Sequence, residues 1–112
     1  MVHENNWIWG KAWTIILEGG KGMVQVSKAN DEEEAIIHNL SVIPEERRKG
    51  LGKRLMEEAE TLITQQGFQT IRLDVESGNE NLIRWYEKLG YTNVGCLDLE
   101  DSYNTMMKNV DG

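Results

Sequence analysis

The chain lacks most of the features that mark secreted or membrane-spanning proteins. It has one cysteine, Cys96, in 112 residues, so no internal disulfide can form and a reduced, cytoplasmic setting is expected. No run of about 18 apolar residues and no charged-then-apolar leader occurs, so neither a membrane span nor a signal peptide is predicted. The length predicts a single domain over residues 1–112.

Positive charge is also scarce, and it is concentrated in one place. The chain carries 12 Lys and Arg against 19 Asp and Glu, for a net charge of -7. Five of the basic residues lie between Arg47 and Arg54, with no acid among them. Nonspecific nucleic-acid binding needs an extended positive face, which the acidic remainder cannot supply. A compact basic cluster suits a small polyanionic ligand, such as a molecule that carries phosphates.

The segment VIPEERRKGLGKRL, residues 42–55, joins a strand end to an amphipathic helix through a glycine-rich turn. Unpaired N–H groups and the helix dipole at such a helix start attract anions, and Gly50 and Gly52 let the backbone approach the ligand. The segment therefore predicts a phosphate-binding turn. It is not a nucleotide P-loop, because that motif requires Gly where Arg47 stands and Ser or Thr where Arg54 stands.

The hydrophobic pattern predicts six strands and two helices in the order β-β-β-α-β-α-β-β. The strands are expected at 13–18, 23–27, 35–42, 70–75, 91–97 and 103–110. One helix follows Gly50, and Asn79 caps the other. Residues 1–12 fit either a short strand or a surface-packed arm.

One helix joins strand 35–42 to strand 70–75, and a right-handed crossover makes these two strands parallel. The expected fold class is therefore mixed α/β: a mostly antiparallel sheet with a central parallel pair, flanked by helices. On the first of the two strands, alternation places Ile36, His38, Leu40 and Val42 on one face.

Two motifs resemble the GCN5-related N-acetyltransferase (GNAT) superfamily. Its signature of Arg or Gln, two residues, Gly, one residue, then Gly or Ala is matched by Arg47, Gly50 and Gly52. A second element, Asn seven residues before the Tyr of an aromatic–Tyr–x–x–x–Gly–aromatic run, is matched by Asn79 and WYEKLGY at 85–91. The resemblance covers roughly residues 13–110. It implies an acyl-CoA N-acyltransferase fold and direct acetyl transfer from acetyl-coenzyme A to an amine in a ternary complex, without a metal.

The resemblance also implies where coenzyme A binds. The pyrophosphate would lie against the backbone N–H groups of residues 48–53, and the pantetheine arm would pair with strand residues 40–42 where the parallel strands separate. A backbone N–H in that strand would polarise the thioester carbonyl. The cofactor-binding residues so implied are Leu40, Ser41, Val42, Arg47, Arg48, Lys49, Gly50, Leu51, Gly52, Lys53 and Asn79.

The same resemblance makes Tyr86 the acid that protonates the leaving thiolate, since a phenol of pKa about 10 keeps its proton at neutral pH. The base that deprotonates the amine is not assigned. Many family members carry an acidic residue on the strand before the signature, whereas residues 35–37 are apolar here. Glu34, His38 and water are the alternatives.

Each of these residues also has a purely structural interpretation. The basic turn could be solvated, Tyr86 could pack in the core, His38 could be a hydrogen-bonded sheet residue, and Asn79 could act only as a helix cap. The family's usual helices over the acceptor site are not apparent near the start of this sequence. Either the acceptor site is open or a second subunit completes it, and Trp7, Ile8 and Trp9 would suit a homodimer interface.

The alternative function is a non-catalytic acyl-CoA-binding module or partner subunit, which the missing strand carboxylate favours. The amine acceptor stays open: a small amine, an antibiotic, a polyamine, a peptide N-terminus and a lysine all fit the sequence.

Overall fold

The computed structural model describes residues 2–7, 10–28, 33–47, 49–96 and 102–110. Within them, the strands are β1 Val2–Trp7, β2 Gly10–Leu17, β3 Gly22–Lys28, β4 Glu34–Val42, β5 Thr70–Glu76, β6 Thr92–Gly95 and β7 Tyr103–Asn109. The helices are α1 Leu51–Gln65 and α2 Glu80–Lys88. The six predicted strands and two predicted helices are confirmed. The segment left open between strand and arm forms β1, paired with β2.

All the described strands join one sheet in the order β1-β2-β3-β4-β5-β7-β6. The β4–β5 contact is parallel and the other strand pairs are antiparallel, as predicted. The parallel pairing is short, because it covers only residues 34–36 of β4 and residues 70–72 of β5. The rest of β4 therefore has no partner on its β5 side among the described residues.

Both helices pack on the same face of the sheet. Leu55, Met56 and Ile63 of α1 are buried against Val24, Val26, Ile71 and Leu73 of the sheet, and Tyr86 of α2 joins the same core cluster. Gly22 of β3 lets α1 approach closely, because a Cβ there would lie 2.8 Å from Leu55 Cδ1. No helix of the described chain covers the opposite face, called here the open face.

A β-bulge at Asn39 changes which side chains of β4 share a face. Gln25 pairs with His38, but Met23 pairs with Ser41, so β4 carries one residue more than β3 between these pairs. Asn39 has a φ of 52°, in the left-handed region that asparagine tolerates better than most residues.

The bulge makes the sequence prediction for this strand wrong. Ile36 and His38 lie on the open face, since their partners Ser27 and Gln25 alternate with the buried Val24 and Val26. Beyond the bulge, Leu40 and Val42 instead pack against the core under the helices. A bulge also bends its strand. The parallel pairing with β5 ends at Ile36, so this bend lies in the part of β4 that has already separated from β5.

The described helices include none long and apolar enough to cross a membrane.

Candidate functional site

A cavity of about 370 Å³ opens where β4 leaves β5 and α1 begins. It lies on the helix-covered side of the sheet and takes its walls from β4, the turn before α1, the first turn of α1, and α2. Its lining residues are Leu40, Ser41, Val42, Arg47, Gly50, Gly52, Lys53, Leu82 and Trp85.

The start of α1 presents free backbone donors to this cavity. Gly50 is the N-cap in a left-handed conformation, with φ 83°, and no side chain caps the helix. The first backbone bond of the helix runs from Arg54 N to Gly50 O, at 3.0 Å. The N–H groups of Leu51, Gly52 and Lys53 have no acceptor among the described residues. Three aligned donors at the positive end of a helix dipole fit a phosphate group.

Gly52 lies beneath two cavity walls. A Cβ at this position would be 3.5 Å from Trp85 Cζ2 and 4.0 Å from Val42 Cγ2. A methyl group would make ordinary contacts there, but a longer side chain would have to enter the space that the cavity occupies. The glycine therefore keeps the approach to the free N–H groups open.

The charges at the cavity favour an anion. Arg47 and Lys53 line it, and neither forms an ion pair with another described residue. Lys49 and Lys21 instead share the carboxylate of Glu46, at 3.9 and 3.6 Å. Among the described residues, Arg47 and Lys53 thus face the cavity without an ion pair, whereas Lys49 is paired with Glu46.

The free edge of β4 forms the second side of the cavity. Leu40, Ser41 and Val42 line it at the level where β4 and β5 no longer pair. The Val42 carbonyl already accepts a hydrogen bond from Arg47 Nε, at 3.2 Å. This bond holds the guanidinium at the cavity and ties the turn to the strand end.

The structure gathers most of the predicted cofactor-binding residues into this one cavity, but not all of them. Leu51 is a core residue by its side chain, with 4% exposure, although its N–H belongs to the free helix end. Lys49 is absent from the lining, and Arg48 lies outside the described residues. Asn79 caps α2, since its Oδ1 accepts from Leu82 N at 3.3 Å.

Leu82 and Trp85 line the cavity and were missed by the sequence reasoning. Both lie on α2 three residues apart, so they share a helix face. The helical spacing was visible in the sequence, but only the docking of α2 beside Gly52 shows that this face meets a cavity.

Tyr86 is buried beside the cavity and does not line it. Its ring is 5.0 Å from that of Trp85 and 5.8 Å from that of Tyr91, centroid to centroid. Burial raises the pKa of Tyr86 to about 12. Its hydroxyl has no hydrogen-bond partner among the described residues, so its proton is not committed to a structural contact.

His38 and the acidic residues near it lie on the open face. The His38 Nε2 atom is 2.7 Å from Ser27 Oγ, as expected of a hydrogen-bonded sheet histidine. Burial lowers the pKa of His38 below its ordinary value, and the charge of Asp74 opposes this shift. Glu34, the other titratable candidate, is 3.9 Å from Arg72 Nη1.

A second concavity, of about 560 Å³, lies on the outer side of α1 beside β7. Glu57 and Glu60 line it, and Glu60 pairs with Lys108 at 2.8 Å. Two carboxylates make it unsuitable for a polyanion, despite its larger volume. No cluster of His, Cys, Asp and Glu suited to a metal ion occurs within the described residues.

The family model described as "Acetyltransferase (GNAT) family" matches residues 4–91. The chain therefore belongs to the GNAT acetyltransferase family, and the resemblance drawn from the two motifs is confirmed. Members of this family use acetyl-coenzyme A to acetylate amines, so the predicted donor and reaction class are confirmed for the family.

Among curated proteins, the chain is similar to the [Ribosomal protein bS18]-alanine N-acetyltransferases of Escherichia coli (strain K12) and Salmonella typhimurium. Each is 36% identical over 59 residues, which is 53% of this chain. The match spans only 40% of those relatives' length.

Solved structures show the same fold. Ard1 from Thermoplasma volcanium is 27% identical, with a TM-score of 0.73, over 91% of this chain and 70% of its own. An aminoglycoside 6'-N-acetyltransferase complexed with coenzyme A is 20% identical, with a TM-score of 0.73, over 91% and 73%.

Proposed function

We propose that this chain is an acetyl-coenzyme A-dependent N-acetyltransferase that transfers the acetyl group directly to an amine in a ternary complex. One observation carries the proposal: a single cavity joins the free N–H groups of α1, the unpaired cations Arg47 and Lys53, and the unpaired edge of β4. A diphosphate attached to a peptide-like arm matches all three features.

The residues present fit the donor. The N–H groups of Leu51, Gly52 and Lys53 would hold the pyrophosphate, with Arg47 as counter-charge. The free edge of β4 would pair with the pantetheine amides, as one strand pairs with another. Leu82 and Trp85 would cover its apolar portion. When bound there, acetyl-coenzyme A supplies an activated thioester.

The proposed acid is Tyr86. With a pKa of about 12, its hydroxyl keeps its proton throughout the neutral range. The absence of another hydrogen-bond partner among the described residues leaves that proton available to the departing sulfur. Asn79 is proposed to contact the donor as well as to cap α2.

The test is acetylation of an amine panel by the purified chain, followed as thiol release from acetyl-coenzyme A with a no-enzyme control. The panel contains a diamine, an aminoglycoside, a lysine peptide and a peptide with N-terminal alanine, the last because the curated relatives are named for an alanine acceptor. Amine-dependent thiol release supports the proposal. No release by protein that binds acetyl-coenzyme A would contradict it.

A second candidate is a module that binds acyl-coenzyme A without transferring the acyl group. The exclusion of Tyr86 from the cavity lining favours it. The same assay separates the two functions, because this module would bind the donor in calorimetry and release no thiol with any amine.

We further propose a cytoplasmic protein with one domain over residues 1–112, in keeping with the single sheet and core of the described residues. The proposed homodimer rests on Trp7, Ile8 and Trp9. Ile8 and Trp9 lie outside the described residues, as does the side chain of Trp7. Sedimentation at tens of micromolar protein tests it, and a monomer would contradict it.

A further inference from the structure

The open face of the sheet carries a polar cluster at the gap between β4 and β5. Ile36 and Arg72 form the last parallel pair of the two strands. Two residues further along come His38 on β4 and Asp74 on β5, on the same face as that pair. The strands have separated at this level, so the two side chains lie on opposite sides of the gap.

The donor cavity reaches the same gap from the other side of the sheet. Leu40 and Val42 turn toward the helix-covered side after the bulge, whereas His38, just before it, turns toward the open face. A thioester that lies in the gap would therefore be approached by an amine from the open face. No helix of the described chain obstructs that approach.

We propose that His38 and Asp74 are the acceptor residues of this site: Asp74 holds the ammonium group of the incoming amine, and His38 removes its proton. The inference rests on the proposed function, and it assigns the base that the sequence left among Glu34, His38 and water.

The contacts of Asp74 suit an ammonium ligand. Its Oδ1 accepts from Thr105 Oγ1 at 2.9 Å, which fixes the carboxylate, while Oδ2 is 3.8 Å from Arg72 Nη2. That separation is too long for a hydrogen bond, so Oδ2 can accept one from an amine. The side chain is 42% exposed, which makes it accessible from solvent.

The contacts of His38 suit a base. Ser27 Oγ holds Nε2 at 2.7 Å and fixes the ring. The serine hydroxyl can donate or accept. In the tautomer in which Nε2–H donates to that hydroxyl, Nδ1 carries the lone pair. Burial keeps the ring neutral near pH 7, because it lowers the pKa of His38.

Several charged groups face His38 on this side of the sheet. β5 contributes Arg72, Asp74 and Glu76, and β4 contributes Glu34. β3 contributes only neutral groups, Ser27 and Gln25.

Glu34 is less suited to either role. It pairs with Thr70, in the part of β4 that is still bonded to β5, so it lies below the gap. Its side chain is only 18% exposed and is held 3.9 Å from Arg72 Nη1.

The balance of the step is as follows. The amine nitrogen forms a bond to the acetyl carbon while the carbon–sulfur bond breaks, and the sulfur keeps the electron pair. The nitrogen loses two protons in all. His38 takes one from the ammonium before the attack and passes it to water. The nitrogen releases its second proton to solvent. Tyr86 gives its own proton to the sulfur and regains one from solvent, so the second proton of the amine balances the one on the sulfur.

The test compares H38Q and D74N with E34Q, on the amine of the panel that wild type acetylates fastest. D74N and E34Q remove the same charge from the same arginine, so E34Q is the matched control. We expect kcat to fall about a hundredfold in H38Q, as for loss of a general base. The KM for the amine should rise about tenfold in D74N, because the ammonium group loses its charged partner and a factor of ten in affinity corresponds to one such contact. E34Q should change either constant by less than about twofold.

A second readout needs neither donor nor turnover. The ring of His38 is titrated by NMR in the ligand-free protein, with H38Q to separate it from His3. Its pKa should lie below that of a free histidine, and D74N should lower it further by removing the charge that raises it. The acid limb of kcat/KM in wild type should follow the same pKa and move to lower pH in D74N.

The outcomes separate this inference from the proposed function. No turnover by wild type with bound acetyl-coenzyme A would overturn both. Turnover by wild type with unchanged kinetics in H38Q and D74N, at unchanged acetyl-coenzyme A affinity, would overturn this inference alone. An effect of E34Q as large as that of D74N would also overturn it, because it would assign the effect to Arg72 or to overall charge.

Discussion

The two sides of the β4–β5 gap are built in different ways. The donor side, which is the cavity proposed for acetyl-coenzyme A, consists mainly of backbone: free N–H groups at the start of α1, a strand edge, and Gly52, which keeps the N–H groups accessible. The acceptor side, which is the open face proposed for the amine, consists of side chains from several strands. Sheet register brings together Ser27, His38, Asp74 and Thr105. The donor side comes chiefly from one stretch of about fifteen residues, whereas the acceptor side spans most of the chain.

This difference has a functional meaning. Backbone N–H groups bind a phosphate without help from particular side chains, so a site built from them suits a ligand that many proteins share. Side chains on a sheet face can be exchanged one at a time without disturbing the backbone, so the acceptor side can vary between relatives.

Substitution of Gly50, the N-cap of α1, should impair acetyl-coenzyme A binding more than any other change on the donor side. We expect Gly50→Val to weaken acetyl-coenzyme A binding about a thousandfold. Valine resists the left-handed backbone at this position, so the helix start would shift and two or more charge-assisted hydrogen bonds to the pyrophosphate would be lost. Calorimetry measures the affinity. Gly67→Val is the control, since Gly67 also has a positive φ, 88°, but follows the C-terminal end of α1, whereas the cavity lies at its start. Equal loss in both variants would mean that the effect is only global destabilisation.

Tyr86 is buried beside the donor cavity, and removal of its hydroxyl should affect chemistry without affecting binding. We expect Tyr86→Phe to lower kcat about a hundredfold with unchanged acetyl-coenzyme A affinity. Stability should hardly change, because the hydroxyl has no described partner. In the control Tyr91→Phe, the hydroxyl that donates to Glu60 at 3.0 Å is lost. That variant should lose about 1 kcal/mol of stability and keep its kcat. An unchanged kcat in Tyr86→Phe would remove Tyr86 from the mechanism.

Asn79 tests how far the donor side extends. Asn79→Ala should lower the free energy of unfolding by about 1 kcal/mol, because the cap of α2 is lost. If Asn79 also contacts the donor, acetyl-coenzyme A affinity should fall a few-fold further than in Asn81→Ala, an exposed change on the same helix. Equal affinities in the two variants would leave Asn79 with the cap alone.

The sequence predicts the donor side well, for a physical reason. A glycine-rich turn, a helix start and a strand end are local features, so Arg47, Gly50, Gly52 and Lys53 could be placed together without knowledge of the fold. The order of elements along the chain followed from hydrophobic periodicity, and the parallel pairing of β4 with β5 followed from the handedness of the crossover.

The rest depended on tertiary geometry. Alternation along β4 put His38 and Val42 on one face, but the extra residue at Asn39 places them on opposite faces. Nothing local showed that Asp74 would lie across the gap from His38, or that Trp85 would close the cavity beside Gly52. Asparagine at the bulge was the one available signal, and it is a weak one, since most asparagines occur elsewhere.

The most direct test of the account is to map coenzyme A binding onto the backbone amides by NMR of the isotopically labelled chain. If coenzyme A binds in the cavity, the largest shift changes occur at the amides of residues 50–53, followed by those of residues 40–42. Largest changes instead at residues 57–65 and 108–110, which border the acidic concavity outside α1, with residues 50–53 unmoved, would contradict it.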